Sequence, residues 1–221
     1  MTLEQGRGGP RTSKSSGPTR AAWINDEGVV AVDRDDNEAG IVSRTLAHDG
    51  TGVLHRAFMV LLQDDAGQYF LGRRSAHKRL WPGVWADSCA GHPWPGEDVL
   101  KAASRRVQEE LGCAAELQWR GSFCYTAEYG DGGCERELCH VMVGRPCGEI
   151  IPDPAEVVEV RAFSPKQLAA DIAERPDDFA PWLVRCLQAI SPDALVLGSV
   201  RSETVTPAVI LLDPPDAPGA N

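Results

Sequence analysis

The sequence predicts an α/β (α+β) chain, a mixed β-sheet sandwiched between helices, on three observations. Short runs rich in β-branched and aromatic residues recur between residues 28 and 163. A stretch at 97–112 has clear helical periodicity, and two shorter helical stretches follow the last strand candidate. Strands with interspersed helices pack as layers, because each apolar sheet face needs a cover. With 221 residues and 43% hydrophobic content, the chain can bury one ordinary core. No internal repeat is visible.

Residues 1–22, opening MTLEQGRGGPRTSKSSGPTR, are rich in Gly, Pro, Ser and Arg and have almost nothing to bury; they read as a disordered leader. A folded domain is expected over 23–190. GVVAVD is a short β-branched strand, and NEAG reads as the turn after it. HRAFMVLLQDDAGQYFLGRR is a strand, a DDAG turn and a second strand, hence a hairpin. In EDVLKAASRRVQEELG, Val99, Ala103, Val107 and Leu111 fall near one helical face; Glu97 and Asp98 open the helix and Gly112 closes it. LQWRGSFCYTAEYG, RELCHVMVGR and VVEVRAF read as strands. SPKQLAADIAER has Ser164 as a cap and Pro165 at the first helical position, and FAPWLVRCLQAI is a further short helix. Residues 191–221 hold two apolar fragments, ALVLGSV and AVILL, and form an extension with no legible role.

The formal net charge of −10 argues against nucleic acid as a partner. An anionic substrate would need a local basic cluster working against that field. Seven cysteines without CxxC spacing read as reduced thiols, and with no signal-like apolar stretch a cytoplasmic location is expected. No segment reaches the roughly 18 consecutive apolar residues a spanning helix needs.

The segment WPGVWADSCAGHPWPGE (Trp81 to Glu97) places two Trp, a Cys and a His in one tight loop, more chemistry than a surface turn needs. Counting from Gly91, the chain then runs G-x5-E-x7-R-R-V-x-E-E-L-G-C. Acids in the last turns of a helix can hold a hard cation through oxygen, and a Gly-containing loop before it lets backbone approach a substrate closely. This pattern resembles the Nudix box, which holds divalent metal against a diphosphate. Arg106 stands where the superfamily's hydrolases carry Glu, which argues against pyrophosphohydrolase chemistry.

AHDGTGVLHRAF, RRSAHKRLWPGVWADSCAGHP, EELG, and the ERE that follows CYTAEYGDGG together resemble type I isopentenyl-diphosphate isomerase, over roughly residues 28–190. The resemblance implies a Nudix-type fold and a proton shuttle between isopentenyl and dimethylallyl diphosphate. It implies a metal site of His48, His55, His92, Glu135 and Glu137, whose mixed N and O donors suit Mn²⁺, Zn²⁺ or Mg²⁺. Glu110 matches the carboxylate that holds Mg²⁺ on the diphosphate. Arg44, Arg74 and Lys78 match the diphosphate-binding cations, Glu137 and Tyr125 the proton-transfer partners, and Trp182 the aromatic facing the cationic intermediate.

One position departs from the family. Its catalytic Cys stands two residues before the ligand His, as in CGHP; here that residue is Ala90, and Cys89 lies one place earlier. Neighbouring side chains of an extended segment point to opposite faces, so Cys89 is expected to point away from the substrate. Two alternatives therefore accompany the isomerase reading. One is a protonation-initiated cyclase or rearranging isomerase on a longer prenyl diphosphate in terpenoid biosynthesis; the other is a non-catalytic diphosphate-binding protein. Plain roles suffice elsewhere: His77 and His140 as solvated or core imidazoles, Glu109 and Arg79 as surface, Trp81 and Trp85 as loop packing, Cys89 as an inert buried thiol, and the other six Cys as core or surface.

Overall fold

A computed structural model describes residues 28–197 and 209–211; the expected leader and most of the C-terminal tail lie outside the described residues. β1 (Gly28–Val32) and β2 (Glu38–Ser43) form an antiparallel pair. The turn between them is Asp33 to Asn37, not the expected NEAG. The Asp33 side chain accepts from the backbone N–H groups of Asp35 and Asn37, closing the turn early and releasing Glu38 to Gly40 into the strand. A short helix α1 (Arg44–His48), capped by Ser43, carries the chain to β3 (His55–Gln63).

β3 organises the sheet. Along one edge it pairs in parallel with β8 (Cys134–Cys147), and along the other it meets β1, β6 (Cys89–Gly91) and β4 (Tyr69–Arg74) in succession. β4 continues the expected hairpin from β3 and also pairs with β5 (Trp85–Ala86) and β9 (Val157–Phe163). β7 (Ala114–Glu128) runs antiparallel to β8, and β10 (Val209–Leu211) lies parallel to β7. The sheet is thus mixed, as expected.

Period-2 alternation assigns its faces. Phe58, Val60, Leu62 and Met142 point to one face, where α2 (Val99–Leu111) covers them with Ala102, Ala103, Val107 and Leu111. Asp98 caps this helix, and Gly112 ends it in the left-handed conformation that a Cβ would disfavour. Met59, Leu61, Phe123, Tyr125, Cys139 and Val141 point to the other face, beneath Leu168 of α3 (Pro165–Glu174) and Trp182, Leu183 and Cys186 of α4 (Pro181–Ala189). The core reaches past residue 190, the boundary expected for the domain: Leu195 is fully covered, and Gln63 bonds both the Leu195 carbonyl and the Leu197 N–H.

Candidate active site

On the α4 side, the sheet's even spacing brings acids and imidazoles together. His55 opens β3 and stands directly beside Glu137 of β8 in the parallel register. Glu135 lies two residues earlier on β8, so it shares that face. His48 arrives on the last turn of α1, and His92 just after β6. His48, His55, His92 and Glu137 each offer one ligand atom, and these atoms lie within 4.8 Å of one another. Glu135 falls outside that group but places Oε2 3.0 Å from His48 Nε2.

The protonation pattern is set by the outer nitrogens. His48 Nδ1 lies 2.7 Å from the Arg44 carbonyl and His55 Nδ1 2.8 Å from the Val53 carbonyl, so each must donate its proton there. Their Nε2 atoms consequently face inward. His55 Nε2 is then 3.0 Å from His92 Nε2 and 3.6 Å from Glu137 Oε1, with His92 Nε2 3.2 Å from the same oxygen. Nitrogens and carboxylate oxygens crowded at such distances need positive charge among them, either shared protons, as where against burial the Glu135 bond raises the His48 pKa, or a cation. The donor set therefore fits a divalent cation, with imidazole nitrogens and carboxylate oxygens in a buried, closely spaced group.

Burial pushes His92 down to about 3, keeping it a neutral donor. Burial opposes ionisation of Glu137, yet the bonds to His55 and His92 hold it well below the usual carboxylate range. Glu135 is pushed the other way by burial and by the Glu137 charge. Tyr125, buried on β7 opposite Glu137, donates its hydroxyl proton to Glu137 Oε2 at 2.6 Å; burial raises its pKa well above the phenolic range, so it remains a donor.

This cluster forms one wall of a cavity of about 320 Å³, lined also by Arg44, Arg74, Lys78, Glu110, Ala90 and Trp182. Arg74 is fixed by donating to the Leu80 and Trp81 carbonyls at 2.8 and 3.0 Å, and its guanidinium lies 5.0 Å from the Trp182 ring. Trp81, at φ 46°, holds a left-handed backbone uncommon for a bulky residue and packs edge-on against Trp182, 5.6 Å between centroids. Burial lowers the pKa of both Arg74 and Lys78. Lys78 is ion-paired with Glu156. Arg106 binds Glu109 at 2.7 Å and also pairs with Glu110 and Glu156. The cation at the position where hydrolases carry Glu thus neutralises the acids at the end of α2.

The geometry of β6 separates the two residues that the sequence left in tension. Cys89 pairs with Val60 and Ala90 with Met59, and paired residues share a face. Cys89 accordingly packs with Phe58, Val60 and α2 and meets the cavity wall with its thiol bonded toward Glu110, whereas Ala90 faces the Met59 side. Gly91 points the same way as Cys89, since a Cβ there would meet Phe58 and Arg106. Burial also raises the Cys89 pKa well above the thiol range, leaving it a protonated core thiol.

Of the expected site residues, all but His55 line the cavity; His55 is fully buried behind it. Trp85 packs edge-on against Phe163, and His140 accepts from Trp119 Nε1 at 3.1 Å, so both have structural roles. Among the lining residues that sequence reasoning did not place in the site are Asp87, Cys139 and Glu156, and Arg79, expected at the surface, lines the cavity as well. Cys139 was findable, standing two residues beyond Glu137 on the same strand and so on the same face. Asp87 lies between β5 and β6, where no alternation continues, and carries no local signal of burial.

The NUDIX domain family matches residues 53–183. An isopentenyl-diphosphate Delta-isomerase of Nocardia farcinica is 42% identical over 161 residues, covering 72% of this chain and 92% of that protein. One from Frankia alni is 41% identical over 180 residues, covering 80% and 92% respectively. Among solved structures, DR0079 of Deinococcus radiodurans aligns with a TM-score of 0.57 at 22% identity, over 73% of this chain and 99% of that one, a likeness of fold.

Proposed function

Starting from a chain that belongs to the Nudix family and, within it, to the isopentenyl-diphosphate Delta-isomerases, we propose the residue roles by which it isomerises a short prenyl diphosphate. The enzyme is an intramolecular isomerase of that kind, and its family is metal-dependent. The alternatives, a cyclase on a longer chain and a non-catalytic binder, are not favoured. A cavity of about 320 Å³ is near the lower bound of small-ligand sites, roughly 300–1,000 Å³, and suits a five-carbon chain with its diphosphate.

His48, His55, His92, Glu135 and Glu137 would hold one divalent cation, Mn²⁺, Zn²⁺ or Mg²⁺, and Glu110 would contribute to Mg²⁺ on the diphosphate. Bound there, the metal supplies fixed positive charge that orients Glu137 and offsets the charge of the diphosphate. Arg44, Arg74 and Lys78 bind the diphosphate oxygens, giving the acidic chain its local basic patch. Lys78 exchanges its Glu156 partner for phosphate when substrate enters. Tyr125 and Glu137 share a proton along their 2.6 Å hydrogen bond and deliver it to the terminal alkene carbon. Charge then develops at the tertiary carbon beneath the Trp182 ring, whose π face stabilises it without acting as a nucleophile. Ala90 stands where the family carries its catalytic Cys, so this chain needs another group to take the second proton.

The observation that carries this reading is the convergence of three imidazoles and Glu137 within 4.8 Å, with Tyr125 bonded to that same carboxylate. The test is conversion of isopentenyl to dimethylallyl diphosphate with Mg²⁺ and Mn²⁺ present, run beside geranyl, farnesyl and geranylgeranyl diphosphates. Five-carbon conversion is expected; no conversion, or new hydrocarbon skeletons from the longer substrates alone, would overturn it.

A further inference from the structure

We infer that Asp87 is the second proton-transfer group of this cavity, acting in partnership with the Tyr125–Glu137 pair; the inference rests on the isomerase reading above. Asp87 lines the same cavity, on the connection between β5 and β6, and is 3% exposed. Trp182 Nε1 donates to its Oδ1 at 2.7 Å, while Oδ2 is buried with no hydrogen-bond partner among the described residues. A carboxylate oxygen left bare in a buried site is costly, and it is relieved by holding or receiving a proton.

The other lining groups cannot serve as readily. Of the three lining carboxyls outside the His/Glu cluster, Glu110 and Glu156 are ion-paired with Arg106, and Glu156 also with Lys78. Cys89 packs toward α2, and burial, with the Glu137 charge beside it, raises the Cys139 pKa well above the thiol range. Ala90 has no proton to exchange. Asp87 is the lining carboxyl whose partner, an indole N–H, leaves it free to change protonation state.

Its surroundings tune it. Burial pushes the Asp87 carboxyl up to about 7, against the Trp182 hydrogen bond and the charge of Arg74, and with the charge of Glu110 acting alongside burial. The titratable groups that feel its charge from neighbouring elements are the Arg74 guanidinium on β4 and the thiols of Cys89 on β6, Cys139 on β8 and Cys186 on α4. Both the acid and the carboxylate are therefore populated near neutral pH, as an efficient proton acceptor requires.

The step balances. The alkene π pair becomes a C–H bond with the proton from Tyr125–Glu137, leaving a tertiary cation. The Asp87 carboxylate takes a proton from the adjacent methylene, and that C–H pair becomes the new double bond. One proton enters and one leaves, and the two sites then re-equilibrate with solvent. Trp182 acts as the positioning residue, holding Oδ1 so that Oδ2 is presented.

The test is Asp87→Asn, which keeps an oxygen for Trp182 and removes the titrating group. Turnover of isopentenyl diphosphate should fall about 10²- to 10³-fold. KM should stay within about threefold, metal content should be unchanged, and the rising limb of the turnover–pH profile near pH 7 should disappear. Turnover within about threefold of the parent, with the limb intact, would overturn the assignment. Should Asp87→Asn fail to fold, ¹³C-carboxyl NMR of the aspartate-labelled parent decides: a carboxyl titrating near 7 is expected, and none doing so would overturn it. A parent that converts no isopentenyl diphosphate overturns the functional reading and this assignment together, whereas an active parent with an unaffected Asp87→Asn overturns this assignment alone.

Discussion

The two ends of the cavity are built on opposite principles. At the histidine end, α1, β3, β8 and the segment after β6 each contribute a polar side chain, and the outer nitrogens of His48 and His55 are pinned by backbone carbonyls. At the other end Asp87 is a buried carboxyl under the charges of Arg74 and Glu110, with one oxygen bonded to Trp182 and one bare. The first arrangement is over-determined and holds charge permanently. The second is under-satisfied and so responds to a proton passing through. An isomerase that must add a proton at one carbon and remove another from its neighbour needs both kinds of end.

The comparison predicts unequal consequences. At the histidine end, His92→Ala should lower isomerisation on the order of 10³-fold or more, because the ligand group works as a unit. Chelator-resistant metal should fall with it, and a variant retaining metal and near-parental turnover would break the contrast.

At the other end the effect appears in stability. With a folded pKa of about 7 against 3.8 unfolded, Asp87 binds its proton more tightly in the folded state. Its contribution is therefore full below pH 4 and is lost as pH rises through 7, by up to about 4 kcal/mol. Asp87→Asn should match the parent in urea denaturation at pH 4 and exceed it at pH 8; equal stability of the two proteins at pH 8 would contradict a buried, bare carboxylate.

The smallest effect is expected across the sheet. Cys89→Ala should cost about 1 kcal/mol as a small loss of packing against Phe58 and α2. Turnover should stay within about twofold; a large loss would assign Cys89 the chemistry that its facing denies.

The sequence announced these two ends unequally. The histidine end was legible because the family resemblance pointed to His48, His55 and His92, while period-2 spacing put Glu135 and Glu137 on one face of β8 and turned Cys89 away from the face of Ala90. The long helix was legible from Asp98, Gly112 and its apolar spacing. The Asp87 end was not, because an Asp in VWADSC reads as an ordinary turn acid. Its burial is created by Trp182, 95 residues away, and no local pattern encodes that cover. The Asp33–Asn37 turn was misplaced for a related reason: one side chain bonding two backbone N–H groups shifted the boundary by a few residues.

In the proposed mechanism one cation gathered by His48, His55, His92 and the β8 acids sets Glu137 and Tyr125 to work on a prenyl diphosphate. Metal-stripped protein titrated with Mn²⁺ while isopentenyl diphosphate conversion is followed tests it most directly. Activity should be absent at first and should climb to a plateau as the site fills, in step with bound metal; full conversion by the stripped protein, or metal binding with no conversion at any loading, would contradict the account.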